Sequence, residues 1–216
     1  MLFAVFLMVV LDVVAKVLLA TYSVMQVTFL RASLALVIVG IANYLANGKN
    51  AFHTEVKPWH LLRTILMSIS TVTFFAALAM IPLVNVMVIV FIAPILITAL
   101  SGPFLGEQVG LFRWFAVALG FIGMLIILQP TKGFIDYGTI YAIIGVVSYA
   151  LIALTSRKLS NKDSAYNLTF YMFFGPAIVG GLGGLNTWIT PNPWDWVLFL
   201  ICLLYTSPSP RDLSTS

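Results

Sequence analysis

The chain has 216 residues, of which 61% are hydrophobic and only 8% are charged, and its formal net charge is +4. Soluble globular domains carry roughly 25% charged residues, so this composition excludes a soluble fold and predicts that lipid surrounds much of the surface. The basic residues lie scattered between apolar runs, which argues against nucleic acid as a partner. The single cysteine, Cys202, excludes a disulfide framework.

Eight apolar stretches follow one another along the chain, and we predict that each is a membrane-spanning helix. A hydrocarbon core of about 30 Å takes about 20 helical residues to span, and a helix satisfies the hydrogen bonds of its own backbone in lipid. The sequence therefore predicts an all-α fold, a polytopic transmembrane helical bundle. The predicted spans are residues 1–20, 25–46, 58–80, 83–104, 111–129, 139–156, 165–185 and a stretch that begins at Trp194.

Basic residues are distributed unequally between the two sides of this bundle. The loops and adjacent helix ends after the second, fourth and sixth spans contain seven basic residues, whereas the loops on the other side contain Lys132. Because loops rich in Lys and Arg remain in the cytoplasm, we expect a bacterial-type inner-membrane protein whose N-terminus is cytoplasmic. The seven residues are Lys49, Lys57, Arg63, Arg113, Arg157, Lys158 and Lys162.

Two histidines, His53 and His60, lie around the polar loop at residues 47–57. We expect both to be solvated loop residues, and two histidines are too few for a histidine metal cage. The near absence of cysteine adds to this, so the sequence predicts no metal site and no cofactor. It also contains no phosphate-binding loop and no pair of nucleophile and base, which predicts that the protein is not an enzyme.

Three charged residues lie inside the first two predicted spans. Asp12 and Lys16 are four residues apart and share one helix face, and Arg31 lies about two turns into the second span. A charge within a span costs at least about 2.5–3.5 kcal/mol and usually faces water or a partner. The three are candidates for a substrate-binding or coupling site; the alternative is an internal salt bridge, with Arg31 reaching the lipid headgroups.

Further candidates for the lining of a substrate cavity are Thr71, Phe75, Asn85 and Tyr149. Thr71 and Phe75 are four residues apart on the third span, although hydroxyls in membrane helices also bond their own backbone without any role in binding. Pro94 lacks a backbone donor and should kink the fourth span, which serves either gating or packing.

The Leu-Gly-Glu stretch at residues 105–107 is predicted to form the corner between the fourth and fifth spans. Gly106 suits the end of a helix, and the carboxylate of Glu107 is favoured beside the start of the next helix. Two faces of small residues predict close helix packing. These faces are Gly180 with Gly184, and Ala116 with Gly120.

A weak internal repeat appears when the chain is compared with itself at an offset of about 140 residues. Thr28-Phe29 then aligns with Thr169-Phe170. Five predicted spans separate the two copies, and an odd number of spans inverts the second copy relative to the first. Inverted repeats of this kind are typical of secondary transporters.

The fourth and fifth predicted spans carry a pattern that resembles the EamA branch of the drug/metabolite transporter superfamily. That pattern is a proline within the fourth helix, a Leu-Gly-Glu corner, and a glycine-rich fifth helix that ends in proline. The matching residues are Pro94, Leu105-Gly106-Glu107, Trp114, Ala118, Gly120, Phe121, Gly123 and Gln129-Pro130. Further matches resemble the subgroup of riboflavin- and S-adenosylmethionine-type transporters: Asp12 with Lys16, Gln26-Val27 before Phe29 and Arg31, and His60 with Arg63.

The resemblance covers residues 2–130 well and residues 139–201 loosely. Members of the superfamily have ten helices in two inverted five-helix repeats, so it implies a complete first repeat at residues 1–130 and a partial second repeat at residues 139–201. Residues 202–216 contain the string CLLYTSPSPRD, which resembles a translated adaptor from sequencing libraries. We expect this tail to be foreign and the natural chain to continue; the alternative is a genuine polar tail.

The function predicted from these observations is secondary transport of a small organic metabolite across the inner membrane by alternating access. Its expected partners are that metabolite, the lipid bilayer and, because Asp12 can titrate, protons. The alternatives are a membrane assembly or scaffold protein without a transported substrate, and an intramembrane enzyme. A water-accessible cavity lined by Asp12, Lys16 and Arg31 favours the carrier, whereas a dry, filled interior favours the scaffold.

Overall fold

The structure is a computed structural model that describes residues 2–48, 52–54, 56–106, 110–128, 136–160 and 163–203. The predicted corner residue Glu107 and residues 204–216 of the predicted foreign tail lie outside these ranges. Cys202, where that tail was expected to begin, lies within the last described helix.

Within the described residues the backbone forms nine α-helices, and a 3₁₀ turn at Leu185–Thr187 follows the eighth. This confirms the prediction of an all-α fold. The helices are α1 (Leu2–Thr21), α2 (Val24–Asn47), α3 (Lys57–Met80), α4 (Leu83–Val90), α5 (Ala93–Leu105), α6 (Leu111–Leu128), α7 (Tyr137–Leu159), α8 (Ala165–Gly184) and α9 (Pro193–Leu203).

Five segments of the described chain are long and apolar enough to cross a membrane. Their length matches the thickness of a hydrocarbon core, and many of their large apolar side chains are exposed on the protein surface. Lipid is the solvent that accommodates such a surface, so the protein is an integral membrane protein with a polytopic helical bundle. The five segments are α2, α3, α4 together with α5, α7, and α8 together with the 3₁₀ turn.

The fourth predicted span is interrupted where α4 ends and α5 begins. Phe91 and Ile92 form a turn between the two helices, and Ile92 N donates to Ile89 O at 2.9 Å. Pro94 lies in the first turn of α5, a position where its missing N–H removes no helical hydrogen bond. At the other end of α5, Gly106 has a φ of 70° and donates its N–H to Gly102 O, which ends the helix in a left-handed conformation that glycine adopts without strain.

The chain divides into two compact units. The first unit contains α1, α2, the part of α3 up to Ser68, α8 and α9. The second unit runs from Ile69 to Lys158 and contains the rest of α3 with α4 to α7. Helix α3 therefore contributes residues to both units.

In the first unit, α2 and α8 pack against each other in antiparallel directions. Near the end of α2, Asn43 Nδ2 donates to Oδ1 of Asn167, a residue of the first turn of α8, at 2.8 Å. Near the start of α2, Gly180 of α8 lies so close to the backbone that a Cβ on it would be 2.6 Å from Phe29 N and 2.9 Å from Met25 O. Glycine permits this approach because it has no side chain.

The glycine face on α8 is therefore confirmed, since Gly180 and Gly184 both face the start of α2. The second predicted face, Ala116 with Gly120 in α6, is not confirmed. A Cβ on Gly120 would meet nothing within 4 Å among the described residues. For this part of the chain the prediction of a close helix contact at Gly120 is wrong.

Both α2 and α8 begin at a serine N-cap. Ser23 Oγ accepts from Gln26 N at 3.3 Å, and Ser164 Oγ accepts from Asn167 N at 3.2 Å. Each bond satisfies one of the backbone donors that the first turn of a helix leaves free. These caps fix where the helices start, and they place Tyr22 and Asp163 immediately before the first turns.

In the second unit, α7 packs on the later part of α3. Ser70 Oγ donates to Gly145 O at 3.0 Å, and a Cβ on Gly145 would lie 3.0 Å from Thr73 Oγ1. A small residue on α7 thus allows two membrane helices to approach closely and to share a hydrogen bond.

Candidate functional site

The three charged residues predicted from the first two spans all lie in the first unit, and all three are partly buried. Arg31 on α2 lies close enough to Asp12 on α1 for their opposite charges to attract each other. Such attraction is stronger in a low-dielectric interior than in water. Asp12 of α1 and Arg31 of α2 are thus within electrostatic range of each other, and Lys16 lies one turn further along α1.

The remaining predicted lining residues lie in the second unit. Asn85 and Phe75 are almost fully buried, each with 2% of its surface exposed, and Thr71 is partly buried. Tyr149 is 52% exposed. Its side chain is therefore available to lipid or water on the surface of that unit. A role for these residues in substrate binding stays a prediction.

A cavity of about 270 Å³ lies beside the interruption between α4 and α5, within the second unit. Thr98 and Ser101 of α5 supply buried hydroxyls, and Ser101 Oγ donates to Thr98 O at 2.8 Å. Arg113 and Arg157 contribute two positive charges to its lining, next to Pro94. The lining of this cavity thus combines hydroxyls and positive charges with the apolar side chains of Pro94 and Ile97.

A buried polar cluster lies where the first turn of α3 meets the start of α8. Nε2 of His60 lies 2.8 Å from Oδ2 of Asp163 and 3.1 Å from Oγ1 of Thr54. The side chains of His60 and Asp163 are each 5% exposed. The His60 ring also packs on Tyr171 of α8, with ring centroids 4.5 Å apart. We call the pair of His60 and Asp163 the His60 clamp.

The prediction that His60 is a solvated loop residue is therefore wrong, whereas His53 is exposed as expected. Arg63, one turn further along α3, is also buried, with 2% of its surface exposed. Its charge attracts Asp163, and its Nη2 lies 3.8 Å from the sulfur of Met172. A sequence signal existed: His60 and Arg63 are three residues apart, which places them on one face of an apolar helix.

Asparagines extend the His60 clamp towards α2 and the loop before α3. Asn167 Nδ2 lies 2.8 Å from Asp163 Oδ1 and 2.9 Å from the carbonyl oxygen of His53. Asn167 Oδ1 accepts from Asn43, and Asn43 Oδ1 in turn accepts from Asn47 at 2.7 Å. Asn43 and Asn167 are buried whereas Asn47 is exposed, and the hydrogen bonds that connect the two buried amides make their desolvation tolerable.

The surroundings of Asp163 favour its ionised form. Burial by itself raises the pKa of this carboxyl, but hydrogen bonds from Thr54, Asn167, His60 and the backbone N–H of Ser164 outweigh burial, and the pKa is lowered from its ordinary 3.8. The carboxylate thus contributes stability that is present above its ordinary pKa and is lost as the pH falls through the lowered value.

We therefore expect the protein to lose stability in acid partly through Asp163. Lowering the pH from about 5 to about 3 should lower the unfolding temperature in detergent, and the D163N variant should lose less over the same interval because its amide does not titrate. Unfolding followed by near-UV circular dichroism at several pH values measures this. Equal acid sensitivity of the two proteins would contradict the assignment.

A second polar contact, which is partly buried, lies at the other end of the α2–α8 pair. Tyr22, just before the cap of α2, donates its hydroxyl to Oδ2 of Asp195 in the first turn of α9 at 2.5 Å. The hydrogen bond to Asp195, together with burial, raises the pKa of Tyr22 above its ordinary 10.0. The phenol therefore remains a protonated donor at neutral pH. We call Tyr22 with Asp195 the Tyr22 clamp.

Gln26 supports the Tyr22 clamp from the first turn of α2. Its side chain is fully buried, Nε2 donates to Ile189 O at 2.5 Å, and Oε1 accepts from Ile189 N at 3.0 Å. This two-way amide contact fastens the loop before α9 to the start of α2. Within the described ranges, no group of three or more His, Cys, Asp or Glu side chains is placed to hold a metal ion.

Fold and site together define a polytopic integral membrane protein in which ionisable and amide side chains are held between apolar helices. Such residues inside membrane segments mark the functional sites of pumps and transporters. The chain belongs to the EamA-like transporter family, whose model matches residues 1–129. This confirms the family that the Pro94 and Leu-Gly-Glu pattern indicated.

Relatives of known name agree with the predicted subgroup. The chain is 26% identical over 190 residues to an S-adenosylmethionine uptake transporter of Rickettsia bellii, a match that covers 88% of this chain and 65% of that protein. It is 31% identical over 170 residues to a riboflavin transporter of Vibrio cholerae, covering 77% and 57%. A pseudopaline exporter of Pseudomonas aeruginosa is 24% identical over 185 residues, covering 84% and 64%.

The chain therefore spans less than two thirds of the length of these relatives. A solved crystal structure has the same fold, with a TM-score of 0.70 and 17% sequence identity, and the match covers 94% of this chain and 77% of the other. At that identity the likeness concerns the fold alone.

Proposed function

We propose that the protein is a secondary transporter that moves a small organic metabolite across the inner membrane by alternating access. Its N-terminus would lie in the cytoplasm, because the loops after the second, fourth and sixth predicted spans hold most of the basic residues. Residues 1–130 would form one complete five-helix repeat, and residues 139–201 part of an inverted second one.

The observation that carries this proposal is the position of Asp12, Lys16 and Arg31, three partly buried ionisable residues, within the otherwise apolar helices α1 and α2. Two charged groups in a membrane interior are costly, and proteins retain them chiefly where a substrate or ion reaches them. A carboxylate and two basic side chains, Arg31 and Lys16, also match a substrate that carries both an amine and a carboxylate. An exchange of partners between protein and substrate would then accompany binding.

The substrates of the named relatives supply the first candidates. S-adenosylmethionine carries an amino-acid group that complements both signs of charge, whereas riboflavin is uncharged at neutral pH and would depend more on aromatic and hydroxyl groups such as Phe75 and Thr71. We favour a substrate with an amino-acid group because its amine and carboxylate complement Asp12 and the two basic residues Lys16 and Arg31.

Uptake into proteoliposomes that contain the protein tests the proposal. Labelled S-adenosylmethionine should enter faster than into empty liposomes, and D12N should reduce that rate at least about tenfold, the factor that corresponds to 1.4 kcal/mol of lost stabilisation. An imposed pH gradient in the same assay shows whether protons drive the movement.

D136N is the matched control, because Asp136 is an exposed carboxylate before α7. It should transport like the unmodified protein. Transport by D12N at the unmodified rate would remove the proposed role of Asp12. Failure of the folded protein to move any member of a metabolite panel would favour the scaffold alternative.

A further inference from the structure

The two clamps lie at opposite ends of the antiparallel α2–α8 pair. The His60 clamp joins the start of α8 to the first turn of α3, and the Tyr22 clamp joins the start of α2 to the first turn of α9. Between them, Ala32 and Ala35 of α2 and Phe173 and Ala177 of α8 form one buried apolar cluster. The close backbone approach at Gly180 lies at the start of α2, near the Tyr22 clamp. The pair is therefore packed between its ends, and one polar contact joins each end to another helix.

The residues of the two clamps occupy corresponding positions in the internal repeat. Asp163 precedes the N-cap Ser164 of α8, as Tyr22 precedes the N-cap Ser23 of α2. Their partners correspond as well, because Pro58-Trp59-His60 lies in the first turn of α3 and Pro193-Trp194-Asp195 lies in the first turn of α9. In both helices the third residue of the Pro-Trp start is the one that makes the contact.

The supporting amides repeat the same arrangement. Gln26 is the third residue after Ser23 and contacts the backbone of Ile189 in the loop before α9. Asn167 is the third residue after Ser164 and donates to the carbonyl of His53 in the loop before α3. Each clamp therefore joins one copy of the repeat to the other. Residues beside the N-cap of α2 contact α9 and the loop before it, and residues beside the N-cap of α8 contact α3 and the loop before it.

We propose that these crossed clamps are the two gates of the transport cycle: the His60 clamp closes one end of the α2–α8 pair, the Tyr22 clamp closes the other, and each opens by itself. The inference rests on the proposed function, since alternating access requires that one end open while the other stays shut. The repeat explains why both gates use the same positions.

The chemistry of each clamp suits a contact that opens and closes. Each is built on a hydrogen bond to a carboxylate, which is stronger than a neutral one but is still a local contact. Each clamp joins a residue just before a helix N-cap to a residue in the first turn of α3 or α9, so opening it moves α3 or α9 and does not separate α2 from α8. The contacts between α2 and α8, including the one at Gly180, can therefore stay packed while a clamp opens.

Thiol accessibility on the purified chain in nanodiscs tests the proposal. In a C202S background, V27C and L168C introduce reporter cysteines at corresponding buried positions, one in the first turn of α2 and one in the first turn of α8. D163N should raise the rate at which maleimide labels the α8 reporter about tenfold, as expected for loss of a hydrogen bond to a charged group. D195N should raise the labelling rate of the α2 reporter by a similar factor. D163N should not change labelling of the α2 reporter, and D195N should not change labelling of the α8 reporter.

The milder variants H60Q and Y22F repeat the two arms in case an aspartate variant folds poorly, and D136N, outside both clamps, should change neither rate. The gates are supported by what we call the crossed pattern: the His60-clamp variants raise labelling of the α8 reporter alone, and the Tyr22-clamp variants raise labelling of the α2 reporter alone. Equal increases at both reporters, or no change at either, would overturn them.

Because labelling needs no substrate, the two proposals fail separately. A crossed pattern without uptake of any metabolite counts against transport only, whereas uptake without a crossed pattern counts against the gates only.

Discussion

Replacement of His60 by alanine is expected to lower the free energy of unfolding by about 2 kcal/mol, within the range of about 1.5–3 kcal/mol for losing a hydrogen bond to a charged group. The substitution removes the imidazole from Asp163 and from Thr54, and it leaves an apolar gap beside Tyr171. We expect the lower end of the range because Asp163 keeps the N–H groups of Asn167 and Ser164.

The chain supplies a matched control in its other histidine. The His53 side chain is exposed, and its backbone carbonyl, which any residue provides, accepts from Asn167. H53A should therefore change the free energy of unfolding by no more than about 0.5 kcal/mol. Denaturant unfolding of both variants in detergent micelles measures the difference, and equal effects of H60A and H53A would show that the buried pair contributes little.

The helices themselves were predictable because a membrane imposes one dominant constraint. Apolar runs of the right length must be helices in lipid, and for α2 and α8 the predicted starts lie next to the serine caps that the structure shows. The interruption at Phe91 and Ile92 precedes Pro94, the residue whose missing donor disfavours a continuous helix.

The buried polar contacts were much less predictable. His60 and Asp163 are 103 residues apart in the chain, and Tyr22 and Asp195 are 173 apart. A residue beside a polar loop is predicted to be solvated unless its partner elsewhere in the chain is known. The burial of His60 was therefore not predicted from the sequence. Asp12 and Arg31 could be found because a charge inside an apolar run is conspicuous without knowledge of its partner.

The close approach of α2 and α8 gives the second large expected effect. Replacement of Gly180 by alanine should lower the free energy of unfolding by about 1–3 kcal/mol, the usual cost of overpacking. The added methyl would lie 2.6 Å from Phe29 N and 2.9 Å from Met25 O. Both are backbone atoms of α2, so no side-chain rotation can relieve the contact and the helices must move apart.

Gly120 of α6 provides the control of opposite sign. A Cβ there meets nothing within 4 Å among the described residues, so G120A should stabilise by up to about 1 kcal/mol, because alanine favours a helix more than glycine does. Unfolding of both variants under identical conditions separates packing from helix propensity. If both substitutions changed the free energy of unfolding in the same direction, helix propensity rather than the α2–α8 contact would determine the effect of G180A.

G180A also tests whether the packing of α2 on α8 affects the proposed gates. Gly184, one turn beyond Gly180, lies against Gln26, the amide that supports the Tyr22 clamp. Separation of α8 from the start of α2 would pull this amide from Ile189, whereas the His60 clamp at the far end of the pair would keep its partners. In the thiol assay G180A should therefore raise labelling of the α2 reporter more than that of the α8 reporter, because the strain enters next to one clamp only.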